Sequence, residues 1–441
     1  MERYQPPERL FPEGHRLHRL VRPTFSSIRR TMRGMFVSTI WVDADLDPAR
    51  AGFRPSYDSL YGKGASLVMP FVAAWLSTGP SKGERPSESG NIAFFPAGVD
   101  ASLLDYARRV GLLGEYEMVA SAAELKERVR RDPLKRRLYN IDDLGADFDA
   151  CSKVSSALSR WLNSKESLHA VTAFAPRERV KDMGDVGPED FAWARSAGAG
   201  RVFLKTCNTE SAGMGVYIAA TEADFEAQLE TIRAKQRRFD LSRRLVIQPE
   251  IKGRNCSFQV LLDPRDKGTV SVVALSDQIV EADGKTYRSS INHPIEPEAV
   301  EPIGEAILEM VDRIWDRHSD AFGFLMSDYF ATDRGPVIYD PGIRPTGNTA
   351  TALAAHLARA LTGEFHATSL VPFPTGREGL TFGEFAALAG DLVSPEALAS
   401  KGRAVMPWGW NPLQGFGMLI AIARDEAGLD LTREEIASVL R

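Results

Sequence analysis

Lys205 ends a short apolar run that starts at Arg201, and a stretch of small residues follows it before a second apolar run opens at Val216. That stretch holds Ser211, Gly213, Met214 and Gly215. The pattern predicts a strand with a lysine at its end, a flexible loop and a second strand. An ammonium so placed neutralises phosphate oxygens, and glycines let backbone N–H groups approach them closely. The loop has neither P-loop spacing nor the third glycine of a dinucleotide fingerprint. Taken alone, it is more simply a glycine-turned β-hairpin.

Three further segments carry compatible chemistry. Lys153 in CSKVSSAL stands at the head of a helical run reaching about Leu162. In LVIQPEIKGRN, a strand ending at Gln248 runs into Pro249-Glu250-Ile251 and then Gly253. Such a linker can present a backbone donor and acceptor to the N1 and N6 atoms of adenine. Ile251 could pack on the base, and Glu250 or Asn255 could accept ribose hydroxyls; an ordinary turn between strands is the simpler alternative. In Met326–Asn348, Asp328 and Asp340 fall on a hairpin turned by Thr332–Pro336. If both face one side they are the minimum set for Mg²⁺, which takes one or two carboxylates plus substrate phosphates. Arg344 is placed to stabilise a transferring phosphoryl group or an oxyanion. Solvated carboxylates on a surface hairpin would look the same. Between these segments, Ser276–Pro294 offers Arg288, Ser289, Asn292 and His293 as contacts for an acceptor substrate, or else a plain hairpin with Asp-Gly at its turn.

The order of these elements resembles the ATP-grasp superfamily of ligases over roughly residues 150–362. In that family two lysines bind nucleotide phosphates across a glycine loop, positions matched by Lys153 and Lys205. Its adenine and ribose segment is matched by Gln248, Ile251, Gly253 and Asn255, and its acid pair and following arginine by Asp328, Asp340 and Arg344. Three positions depart. Asn255 and Gln248 replace glutamates, and Gly342 stands at the metal-binding asparagine, a place Asn348 of the PTGN turn would fill. The resemblance implies ATP and Mg²⁺ as cofactors, and a carboxylate joined to an amine through an acyl phosphate. The overall plan is most similar to pheganomycin-type peptide ligases. A non-catalytic nucleotide-binding scaffold, phosphotransfer to another group and thioester formation remain alternatives.

The elements that would hold these residues fall into three regions. Strands at Met35–Val42 and Asn91–Phe95, a helix near Ala101–Val110 and a Ser121/Glu124 capping box suggest an open α/β domain over 1–145, resembling a pre-ATP-grasp domain. Residues 146–362 read as an α+β unit holding the site. Thr221 opens one helix there, and another spans about Ala299–Arg317. Residues 363–441 read as a C-terminal extension. With 441 residues, 44% apolar and 26% charged, the chain is of ordinary globular composition. A net charge of −5 does not favour nucleic acid, and no apolar run is of membrane-spanning length. Cys151, Cys207 and Cys256 are too dispersed for a disulfide framework or zinc site, which fits a cytoplasmic setting. The partners expected are small-molecule carboxylates and amines, and a homodimer is compatible with them. The Arg- and His-rich stretch Arg9–Arg33 reads as a solvated arm or inter-subunit tail.

Overall fold

The computed structural model describes residues 4–32, 35–37, 92–96, 99–110, 113–133, 137–140, 146–198, 200–207, 215–239, 242–280, 282, 287–394 and 396–439. The expected strand beyond Val37, the apolar run Ser66–Ser77 and the polar stretch Thr78–Gly90 lie outside them.

The N-terminal stretch is no solvated arm. β1 (Glu8–Arg9) pairs with β2 (Leu20–Arg22), and β2 runs parallel to a later strand, Leu20 opposite Val270. Leu17 and Leu20 bury against the helix Pro297–Arg317 at Gly304, where a Cβ would stand 2.7 Å from Leu17 Cδ1. The arginines that suggested solvation pair with that helix and its N-cap, Arg19 with Asp312 at 2.8 Å and Arg22 with Glu296 at 2.6 Å.

Next comes a parallel sheet of β3 (Met35–Val37), β4 (Ile92–Pro96), β5 (Glu115–Val119) and β6 (Leu138–Asn140), in the order β5-β4-β3-β6. Parallel neighbours need crossovers. Helices Ala101–Arg109 and Ala122–Arg131 supply two of them, capped by Asp100 and by Ser121, whose Oγ accepts from Glu124 N–H. This is the open α/β unit expected.

A small antiparallel sheet follows: β7 (Arg179–Asp182), β8 (Val202–Thr206), β9 (Val216–Ala219) and β10 (Arg244–Pro249), ordered β7-β10-β8-β9. Helices Pro188–Ala197 and Glu222–Phe239 bury one face; Phe191, Phe225 and Ile232 pack there on Leu204, Tyr217, Leu245 and Ile247. Thr221 caps the second helix as read, accepting from Asp224 N–H at 3.1 Å. Strand alternation sends Lys205, Gln248 and the half-buried Val180, Phe203, Val216 and Ile218 to the other face.

The large sheet takes β11 (Arg254–Leu262), β12 (Val270–Val280), β13 (Tyr287–Asn292), β14 (Gly323–Thr332), β15 (Gly335–Ile343), β16 (Ala367–Pro374), β17 (Arg403–Asn411) and β18 (Phe416–Ala423). Its order is β15-β14-β11-β12-β13-β16-β18-β17. Helix Pro297–Arg317 packs on one face, against Phe258, Val260, Leu275 and Leu325. Helix Gly347–Thr362 lies on the other, with Leu353 beside Leu261, Val273 and Phe324. Residues 363–441, expected as an extension, continue this same sheet through β16, β18 and β17. The three cysteines are free.

Candidate active site

One row of side chains crosses the large sheet. Asp340 lies opposite Asp328, Asp328 opposite Ser257, Ser257 opposite Ser276, and Ser276 opposite Asn292. Directly opposed residues of antiparallel strands point to the same side, so both carboxylates share one face. Gln278 Nε2 donates to Asp328 Oδ1. A register shift at Asp328/Tyr329 makes Tyr339 an extra residue between Asp340 and Ile338. Its ring stacks on Phe330 at 4.8 Å, and its hydroxyl donates to Asn255 Oδ1 at 2.7 Å.

The small sheet meets this face. Lys205 Nζ donates to Gln248 Oε1 at 2.6 Å and lies 4.9 Å from the centroid of the Tyr339 ring. Lys165, from the turn after helix Ser156–Leu162, brings its buried Nζ to 3.6 Å from Asp340 Oδ1. Burial pulls Lys205 down to about 8, against the opposing pull of Asp340 and Glu178. Burial, reinforced by the facing Asp340, pushes Asp328 well above the usual carboxylate range. Two ammonium and two carboxyl groups from separate parts of the chain therefore meet between the sheets.

The edge of β10 suits a purine. Glu250 N–H donates to Arg201 O, so residue 250 turns its backbone toward β8. Alternation then aims Pro249 C=O and Ile251 N–H at the other edge. There the pairing with β7 has ended, at Ile247 opposite Arg179. The half-buried Val180, Phe203 and Ile218 offer an apolar wall beside it.

Several expected residues stand elsewhere. Lys153 Nζ lies 3.3 Å from Met32 O and 4.5 Å from the Phe322 ring centroid, just before β14. Phe322 is six residue steps from Asp328, about 20 Å at ~3.3 Å per residue, and Lys165 stands where Lys153 was expected. Ser289 and His293 are displaced by parity. Ser290 and Asn292 share the face of Asp328, while Ser289 bonds Ser369 Oγ at 2.7 Å and His293 Nε2 lies 3.3 Å from Asp277 on the reverse side. Asn292 is buried, donating to Thr368 Oγ1 at 2.9 Å. Neither ribose candidate is free: Glu250 bonds Arg201 Nε at 2.7 Å, and Asn255 bonds Tyr339. Ser211, Gly213, Met214 and the Arg288 side chain lie outside the described residues; Gly215 O accepts from Thr206 N–H at 2.9 Å. Lys165, Glu178, Gln278 and Tyr339 were missed, because buried polar residues in a polar stretch leave no periodic trace.

No protein-family model matches the chain, and no curated protein shows significant sequence similarity to it. Solved structures do resemble it. The biotin carboxylase domain of Hydrogenobacter thermophilus 2-oxoglutarate carboxylase, solved with MgADP, ADP and bicarbonate, gives a TM-score of 0.54 at 14% identity, covering 80% of this chain and 85% of that one. An ADP complex of N5-carboxyaminoimidazole ribonucleotide synthetase gives 0.52 at 12% identity, covering 80% and 91%. The Staphylococcus aureus N5-carboxyaminoimidazole synthetase with ADP gives 0.50 at 13% identity, covering 81% and 92%. The chain shares its overall fold with these three structures.

Within this fold, the donor set at Asp328 and Asp340 suits Mg²⁺. Two facing carboxyl groups, one of them reluctant to ionise beside the other, are what a dication relieves. Among the described residues no cluster of three or more His, Cys, Asp or Glu is placed to hold a metal. Phosphate and water oxygens would complete the coordination. Asn348 Nδ2 donates at 2.6 Å to Ser257 Oγ, on the strand beside that of Asp328, and its Oδ1 accepts from Ser290 of β13, two strands further on.

The space over Gly342 belongs to Asn163. Its Oδ1 accepts from Ile343 N–H at 3.1 Å, its Nδ2 donates to Ser159 Oγ at 3.1 Å, and a Cβ at Gly342 would stand 2.8 Å from that Oδ1. Gly342→Asn should therefore cost about 1–3 kcal/mol by overpacking. In denaturant melts Asn163→Ala should absorb part of that loss, giving a non-additive double-mutant cycle. Strict additivity would show that the carboxamide does not fill the site.

Proposed function

We propose that this chain is an ATP-dependent ligase that joins a carboxylate to an amine, releasing ADP and phosphate, with amino acids or peptides as substrates in a cytoplasmic setting. The observation that carries this is the meeting of Lys165, Lys205, Asp328 and Asp340 between the two sheets. A substrate carboxylate attacks the γ-phosphorus, ADP departs, and an acyl phosphate forms. The amine then attacks the acyl carbon and phosphate leaves. Lys205 and Lys165 neutralise phosphate oxygens, and Arg344 binds the γ-phosphate as it transfers and the developing oxyanion. Asp328 and Asp340 would hold Mg²⁺, which supplies further neutralisation of the phosphates.

ADP release from the purified chain should require both a carboxylate and an amine, and hydroxylamine in place of the amine should give an acyl hydroxamate. ADP release without hydroxamate would favour phosphotransfer to another group. The occupied space at Gly342 favours one second reading, a nucleotide-binding scaffold without turnover. Tight ADP binding with no release across a panel of amino acids and dipeptides would establish it.

A further inference from the structure

Glu178 has no part in the chemistry above, yet it is buried at its edge. It stands one residue before β7, beyond the pair of Arg179 with Ile247, so continuing the register sets it opposite Gln248 on the face of Lys205. Its side chain is only 2% exposed, and Oε1 has no hydrogen-bond partner among the described residues. Two basic side chains face it. His169 Nε2 lies 3.4 Å from Oε1, and Lys205 acts on it from β8. Gln248, the neighbouring candidate acceptor, already takes the Lys205 ammonium proton on Oε1. An acceptor oxygen is thus left over beside the free edge of Pro249–Ile251. A buried polar atom without a partner is costly, and a ligand that donates to it would remove that cost.

We propose that Glu178 selects the base, its carboxylate accepting one hydrogen from the exocyclic amine of a 6-aminopurine nucleotide. Pro249 C=O takes the other hydrogen, and Ile251 N–H donates to N1. This rests on the nucleotide-binding reading above. A 6-oxopurine presents the reverse pattern, a carbonyl oxygen at position 6 and a hydrogen on N1. Its oxygen would oppose the carboxylate and its N1–H would oppose the Ile251 N–H. Burial raises Glu178 to about 7, so acceptance of the amine strengthens as the carboxyl loses its proton.

The test is calorimetric binding of ADP, GDP and purine riboside 5′-diphosphate, which lacks the amine, to the full chain. The wild type should prefer ADP to both by about 10-fold or more, the scale of a hydrogen bond to a charged group. Glu178→Leu should shrink both preferences to within about 3-fold. Glu178→Gln, of the same shape, can donate to a 6-oxo group and should tighten GDP, lowering the ADP-to-GDP ratio. Melting temperatures of the nucleotide-free variants report folding, and if the leucine variant does not fold, the glutamine variant decides. Ratios unchanged in the folded variants overturn the proposal. Failure of the wild type to bind ADP at all overturns the underlying nucleotide reading instead.

Discussion

Arg344→Met should lower kcat by about 10²- to 10³-fold, the range seen when one preorganised charge donor is lost, while changing the Kd for ATP by less than about 3-fold. Arg344 follows the end of β15, four positions past Asp340, and leads through Pro345 into the cap of helix Gly347–Thr362. It is half-buried, and its guanidinium makes no hydrogen bond or ion pair among the described residues. A cation partly withdrawn from water with no anion beside it is poorly stabilised, and a transferring phosphoryl group would supply that anion. Because the contact forms where charge develops, its loss should appear in turnover rather than in ground-state affinity. Arg344→Lys keeps the charge but loses the planar fork, so it should recover only part of the rate. Steady-state kinetics beside direct ATP binding separates the cases. Equal loss of turnover and affinity in the methionine variant would make Arg344 an ordinary ground-state contact.

The strands around Arg344 were legible as apolar and aromatic runs on either side of a turn segment. The hairpin of β14 and β15 follows from its TDRGP turn, but the turn's register alone would set Asp328 opposite Tyr339, and the shift at Asp328/Tyr329 moves it to Asp340. Helix starts at Ser121 and Thr221 were legible from their caps. What failed depended on a single residue of parity or on distant partners. Ser289 and His293 share a segment with Ser290 and Asn292, yet alternation sends the two pairs to opposite faces, and strand phase cannot be fixed without the partner strand. The register shift that brings Tyr339 under Lys205 leaves no mark in composition.

The lysines teach the same lesson at longer range. Lys153 and Lys165 flank one short helix, and either could reach a phosphate from a helix end. Lys153 is held at the beginning of β14 by Met32 and Phe322, residues distant in sequence. Lys165 enters the groove because the turn after Leu162 lies against β10 and β15. The N-terminal arm was misjudged for a related reason. Its leucines are spaced among arginines, and only the acidic flank of helix Pro297–Arg317 shows that those arginines are paired.

Lys205→Met should weaken ADP binding about 10²-fold at pH 7, the scale of a charge-assisted contact in a buried site, and should remove a pH dependence that the wild type shows. In the free protein burial holds Lys205 near 8, although Asp340, Glu178 and Asp328 all favour its charged form and Lys165 disfavours it. A bound phosphate favours the ammonium further, so the value in the complex is higher than in the free protein. Binding then takes up a proton above pH 8, and affinity should fall as pH rises through 8 by up to tenfold per unit. The methionine variant should be flat over the same interval, and the two should converge toward high pH. Measurement above pH 7.5 keeps Glu178, at about 7, mostly ionised throughout. The same shift acts on folding. A lysine whose value falls from 10.5 to about 8 on folding binds more protons unfolded than folded between those limits. Stability of the nucleotide-free protein should therefore rise with pH across that window, while nucleotide affinity falls. Affinity that rises through pH 8, or that stays flat in the wild type, would place Lys205 away from the phosphates and leave Lys165 to neutralise them alone.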